Sequence, residues 1–256
     1  MEINGVYQCA ILKYEDRKIF LLSDLHTEVK KPNQLDLIVS LFSGPEKFVL
    51  YFESDSEIRP YIPNNQLEFI TILRGPLTDL IDYIGKRPRN EQYFESIPFD
   101  FRDPVESKNI DMGFPFRGLY ANIRSLQDVV NITDRKIIER IRFGPWQDVI
   151  KQYINDKNED FLSLYQDEFD ALIRKSRLTR EEKDKVKFCV RDQYSHLIDI
   201  WVINHWSQQD NQNTLIFAGS GHTIYMTDFL ISIQAEILFE LDDNENLAPV
   251  KIPKLW

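Results

Sequence analysis

The 256-residue chain has little of what marks most specialised classes of protein. It carries two cysteines, Cys9 and Cys189, far apart and outside any CxxC pair, so neither a disulfide framework nor a zinc ribbon is written into it. A reducing compartment suits that usage. No run approaches the ~20 consecutive apolar residues of a membrane-spanning helix. The opening Met1-Glu2-Ile3-Asn4-Gly5 also lacks the basic region and apolar core of a secretion signal. The expectation is a soluble, cytoplasmic protein with no membrane partner. No long Lys/Arg cluster offsets the net charge of -10, which argues against nucleic acid as a partner. Low-complexity tracts are absent as well.

What is present begins at Lys18-Ile19-Phe20-Leu21-Leu22-Ser23-Asp24-Leu25-His26, an apolar run that ends in a serine, a carboxylate and an imidazole. Continuous apolar runs suit strands covered on both faces, and open α/β sheets bind ligands beyond the carboxyl ends of such strands. Thr214-Leu215-Ile216-Phe217-Ala218-Gly219-Ser220-Gly221-His222 repeats the design, with the same spacing from Gly219 to His222 as from Ser23 to His26. Between them Phe48-Val49-Leu50-Tyr51-Phe52 runs into Glu53-Ser54-Asp55, and Phe99-Asp100-Phe101-Arg102 suits a strand end carrying a cation.

Val6 to Leu12 reads as an edge strand joined to the first key strand through the polar turn Tyr14-Glu15-Asp16-Arg17. Leu35, Leu37, Ile38, Leu41 and Phe42 fall at helical spacing, so strand, helix and strand make a β-α-β unit. Leu67 to Leu73 fits a strand or a helix, Pro76 to Ile81 starts a short helix, and Asp103 to Arg117 reads as a long loop. From Leu119 to Val130, Asp134 to Phe143, Trp146 to Ile154, Asp160 to Ser176 and Thr179 to Trp206 the periodicity is helical, the last opening on a capping box at Thr179 and Glu182. Tyr225 to Ala235 reads as a helix and Ile237 to Leu241 as a final strand. The expected architecture is one α/β domain over 1-256, a mainly parallel sheet with helices on both faces, and 119-206 as a helical insertion or cover.

The residues that carry chemistry are His26 and His222, Glu53 with Asp24 or Asp55, and Arg102. Two imidazoles and a carboxylate suit a divalent ion such as manganese, cobalt or zinc with a position left for a water nucleophile. Without metal, the same set offers Glu53 or a histidine as base beside a cation that stabilises developing negative charge. The bland reading also holds at this stage: strand-end histidines bonded to loops, carboxylates capping helices, and Arg102 paired with Asp100 or Asp103. His196 and His205 lie nine apart on the long helix, which misses the i,i+4 face of HExxH sites.

In order, these motifs resemble the superfamily that groups the erythromycin esterases, the haem-uptake protein ChaN and the Tiki/TraB proteins. Ser23-Asp24-Leu25-His26 stands where that family has strand-Gly-x-x-His, with serine in place of glycine. Phe52-Glu53-Ser54-Asp55 matches its Glu-bearing strand, and Gly219-Ser220-Gly221-His222 its late strand-Gly-x-Gly-His. The resemblance implies an active cleft built on His26, Glu53 and His222, with Arg102 a further member. It implies hydrolysis of a peptide, ester or lactone, with haem, as in the ChaN-like members, an alternative to a metal cofactor. Ser23-Asp24-Leu25-His26 also looks like the Asp-x-His opening of calcineurin-like metallophosphoesterases, although their later Gly-Asp-x-x-Asp and Gly-Asn-His motifs are missing. A non-catalytic binding protein on the same scaffold is the third reading; the partner in every case is a small molecule or peptide, and oligomeric state is not legible.

Overall fold

The structure, a computed structural model, describes residues 2-3, 7-24, 48-55, 95-100, 110, 116, 120-209, 213-242 and 250-251. The helix expected at Leu35 to Phe42 and the segments Leu67 to Leu73 and Pro76 to Ile81 lie outside them. So does the loop Asp103 to Arg117, apart from the buried Ile110 and Phe116. The described strands are β1 (Glu2–Ile3), β2 (Cys9–Tyr14), β3 (Arg17–Asp24), β4 (Phe48–Asp55), β5 (Glu95–Asp100), β6 (Asn213–Gly219), β7 (Glu236–Leu241) and β8 (Val250–Lys251). The helices described in full are α1 (Leu126–Arg140), α2 (Gln147–Ile173), α3 (Arg180–Ser207) and α4 (Ser220–Ser232). The fold is mixed α/β.

The chain divides into two compact units, Met1–Asp100 with Gln209–Trp256, and Phe101–Gln208. The first is built on a six-stranded sheet of order β5-β4-β6-β3-β2-β7. β5, β4, β6 and β3 pair in parallel, while β2 pairs antiparallel with both β3 and β7, so the sheet is mixed. β2 and β3 form the expected hairpin, closed by the pair Tyr14↔Arg17, with Glu15 at φ 53 supplying the left-handed turn residue that a two-residue hairpin requires. The expected edge strand is not an edge, because β7 pairs along the outer side of β2. Nor are the two strands of the expected β-α-β unit neighbours: β6 lies between β3 and β4 and pairs with both.

The order of the strands creates a switch point. From β3 the chain next reaches β4 on one side of β6, whereas from β6 it goes on to β7, beyond β3 on the other side. Adjacent parallel strands whose connections depart in opposite directions leave a crevice outside their carboxyl ends, the usual ligand position in open α/β sheets. The register fixes which residues face it, since Asp24 and Gly219, the last residues of β3 and β6, are Cα partners. The strand cores are dry: Ile19, Phe20, Leu21, Leu22, Val49, Leu50, Leu215 and Phe217 are all buried.

The described part of the second unit is helical, and α1 and α3 start at caps written in the sequence. Ser125 and Thr179 make capping boxes with Asp128 and Glu182, satisfying amides that helix starts leave orphaned. α1 and α2 run antiparallel, as the bonds Leu126 N to Asp170 Oδ1 (2.8 Å) and Asn158 Nδ2 to Asp134 Oδ1 (3.0 Å) require. Segments that the periodicity divides are continuous here, so that α2 runs unbroken through 27 residues, about 40 Å. Among the described residues no helix is long and apolar enough to cross a membrane.

Candidate functional site at the carboxyl ends of β4 and β6

Side chains alternate between the two faces of a strand, so the register of the sheet predicts which ones meet. Leu22 and Phe217 occupy one row and point to one face; Ser23 and Ala218, each one residue on, point to the other, and the pairing of Phe217 with the backbone of Phe52 places Glu53 in the row of Ser23 and Ala218. α4 leaves β6 at Gly219 and packs on β3, β6 and β2, and its first turn carries His222. A carboxylate at the end of β4 and an imidazole from the first turn of α4 are thereby brought together.

The Glu53 carboxylate is engaged through both of its oxygens. Its Oε2 accepts the Gly219 N–H at 2.7 Å in a buried bond, and its Oε1 lies 3.4 Å from His222 Nε2. Gly219 is the N-cap of α4 and has no side chain to cap with, so a carboxylate from another strand sits at the positive end of the helix. Both side chains are largely sequestered from water, Glu53 being 9% and His222 8% exposed. Burial of a charge without compensation is costly; here the backbone amide and the imidazole supply the compensation. The 3.4 Å separation exceeds the about 2.7–3.2 Å of a formed N–H···O bond. It matches the spacing of two donors on one tetrahedral ion with bonds of about 2.0–2.1 Å.

The remaining candidates divide by where they fall. Asp24 and Asp55 have described backbones only, Asp24 opposite Gly219 and Asp55 opposite Asp100. His26, two residues beyond the end of β3, and Arg102, two beyond β5, lie outside the described residues. Among the described residues no group of three or more His, Cys, Asp or Glu side chains is placed to hold a metal. His196 and His205 sit half-buried on α3, in the other unit, where the His205 ring stacks on Trp201 with centroids 5.0 Å apart. Expecting His222 on a loop ahead of a helix at Tyr225 places the start of that helix too late: α4 begins at Ser220, and His222 is fixed by helical backbone.

Two contributors escape a reading of the sequence. One is the Gly219 amide; the visible signal was an apolar strand ending in glycine before a helix, but the donor is backbone and its acceptor lies 166 residues away. The other is Ser23. Its hydroxyl accepts the Gln8 N–H at 2.7 Å and donates to the Gln8 carbonyl at 3.3 Å, on a side chain with no exposure. Ser23 therefore ties β3 to the chain entering β2 and fills this position. Set against known proteins, the chain matches no family model, no curated protein and no solved structure.

Proposed function

We propose that the chain is a hydrolase of the erythromycin-esterase, ChaN and Tiki/TraB type, directing water at the carbonyl of a peptide, ester or lactone in the crevice beyond β3, β6 and β4. The observation that carries this reading is the buried Glu53–His222 pair, with Oε1 and Nε2 3.4 Å apart at a switch point of the sheet. The rest of the reading is the mainly parallel sheet with helices on both faces that the resemblance implies, and a cytoplasmic setting.

The division of labour follows from the two engagements of the carboxylate. With Oε2 held by the Gly219 amide, Glu53 is oriented so that Oε1 is the oxygen that takes a proton from water. His222 Nε2, beside it, steadies the negative charge and returns a proton to the leaving group. The first-turn amides of α4 lend the positive end of a helix to an oxyanion forming nearby. In the metal-assisted alternative, Glu53 Oε1 and His222 Nε2 would instead be donors, joined by His26 and with Asp24 or Asp55 as further oxygen donors, to manganese, cobalt or zinc held with open positions. Such an ion supplies Lewis acidity and a more acidic bound water. Glu53 and His222 meet the donor spacing for it, and no cysteine is needed.

The test is Glu53→Gln, which keeps an acceptor for Gly219 and the side-chain volume. The variant should fold like the wild type and lose at least about a hundredfold in turnover, assayed on activated esters, a lactone and a denatured protein, with and without each ion. Calorimetric titration of His26→Ala and His222→Ala with the same ions should show affinity weakened by at least about tenfold. Undiminished turnover in Glu53→Gln would leave Glu53 a structural cap of α4. Absence of wild-type turnover on every substrate class would reject the hydrolase, and robust turnover of a generic phosphate monoester instead would favour a phosphoesterase.

A further inference from the structure

The first turn of α4 contains a glycine that the fold does not ask for. At Gly144, between α1 and α2, a Cβ would lie 2.5 Å from Gln208 Cγ, so packing keeps that position bare. At Gly221 a Cβ would meet no atom within 4 Å, and the backbone there is outside the left-handed region that favours glycine. Yet Gly221 lies within a helix, where glycine costs stability relative to alanine. Neither packing nor backbone conformation accounts for it. The remaining physical use of a bare position is the close approach of a ligand to the main chain.

The main chain has a donor to offer there. The Gly221 N–H is one of the amides that a helix start leaves without an intrahelical acceptor, and among the described residues no other group accepts it. Gly221 is also flanked by the two residues through which the buried pair acts. Gly219 gives its N–H to Glu53 Oε2 at 2.7 Å, and His222 carries the imidazole 3.4 Å from Oε1. Because β6 ends at Gly219 and α4 begins at Ser220, the first-turn amides point out past the carboxyl end of that strand, toward the crevice.

We propose that the Gly221 N–H donates the hydrogen bond that stabilises the oxyanion of the substrate, and that the missing side chain leaves the room in which the acyl part of the substrate lies against the first turn of α4. This rests on the hydrolase reading. As water adds to the carbonyl carbon and Glu53 takes its proton, the carbonyl oxygen acquires the negative charge. A backbone donor fixed by the helix meets that charge without reorganising. Base and donor share one frame, since the carboxylate that receives the proton also holds Gly219, two residues before the donor.

Two substitutions at this one position separate the donor from the space. Gly221→Ala keeps the N–H and adds a methyl group; Gly221→Pro fills the same space and removes the N–H, in a first turn where proline is tolerated. Both should fold with the circular dichroism spectrum of the wild type. On the substrate that the wild type turns over fastest among an activated ester, a lactone and a denatured protein, Gly221→Ala should raise KM and leave kcat nearly unchanged. Gly221→Pro should lower kcat by at least about a hundredfold relative to Gly221→Ala. Equal kcat in the two variants, or a wild-type KM in Gly221→Ala, would overturn the proposal and leave the hydrolase reading to Glu53→Gln. A wild type without turnover on every substrate overturns both. Titration of the isotopically labelled wild type with methylphosphonate, a tetrahedral anion, needs neither turnover nor the proline variant. The Gly221 amide should shift and saturate at millimolar concentration, and a Gly221 amide that does not move overturns the assignment even where Gly221→Pro fails to fold.

Discussion

The two cysteines show how burial sets the reactivity of a single side chain. Cys9, the buried first residue of β2, has its thiol pushed up to about 12 by desolvation. Cys189 on α3 is raised to about 11, first by burial and then by the nearby carboxylates of Asp192 and Glu168. The thiolate is the reactive form. At pH 8 it therefore amounts to about one part in a thousand or less at either position. Neither thiol should react with a disulfide reagent over minutes in the native protein, and both should react at once in denaturant. Rapid native labelling of one equivalent would show that its strand or helix opens readily. Glu53 is the opposite case, a carboxylate kept in the interior by a backbone amide and an imidazole.

At the level of elements, α1, α2 and α3 meet through a polar layer as well as an apolar one. Asp134 on α1 receives the Asn158 amide of α2 on both oxygens, and Lys136 Nζ lies 5.4 Å from the Tyr194 ring of α3. Burial raises the Asp134 carboxyl above its ordinary 3.8, against the lowering effect of the Asn158 bond. The folded state thus holds a proton that the unfolded chain has released, so stability falls as pH rises from 3.8 through the raised folded value and is level above it. Asp134→Asn, which leaves Asn158 an acceptor, should remove that slope and raise the neutral-pH denaturation midpoint; an unchanged pH profile would count against it. Gln193, in the same helix as Tyr194 and 1% exposed, has neither amide atom paired, and Thr133 Oγ1 is likewise buried without a partner. A buried unsatisfied group costs about 1–3 kcal/mol. Gln193→Met, similar in volume, should therefore stabilise the protein by about that amount in urea denaturation, and a loss of stability would mean that the amide is satisfied by buried water.

At the scale of the molecule, residues Phe101–Gln208 form a continuous insertion between strands that belong to one sheet, and they have their own core of Val129, Ile150, Phe169, Val190 and Leu197. A segment with its own buried apolar core and capped helices has the makings of an independent folding unit. Expressed alone, 101-208 should show a helical circular dichroism spectrum and a cooperative thermal transition. A spectrum of unfolded chain would mean that its stability depends on the sheet unit. Among the described strands it is the late ones that complete the sheet, since β6 joins β3 to β4 and β7 covers β2.

Local pattern alone determined a good deal here. Apolar runs gave β3, β4 and β6, period and capping gave α3, a polar turn gave the β2–β3 hairpin, and chemical groups crowded at strand ends singled out Glu53 and His222. Each of these is written in neighbouring residues, where propensity and periodicity act. What only the tertiary structure decided is which strands adjoin, because pairing is a contest among strands far apart in the chain. β6 enters between β3 and β4, and β7 takes the outer side of β2, positions that no stretch of sequence encodes by itself. The same holds for the bond from Gly219 to Glu53, which forms when register and helix packing bring remote backbone and side chain within reach, at a cost in chain entropy that only the assembled core offsets.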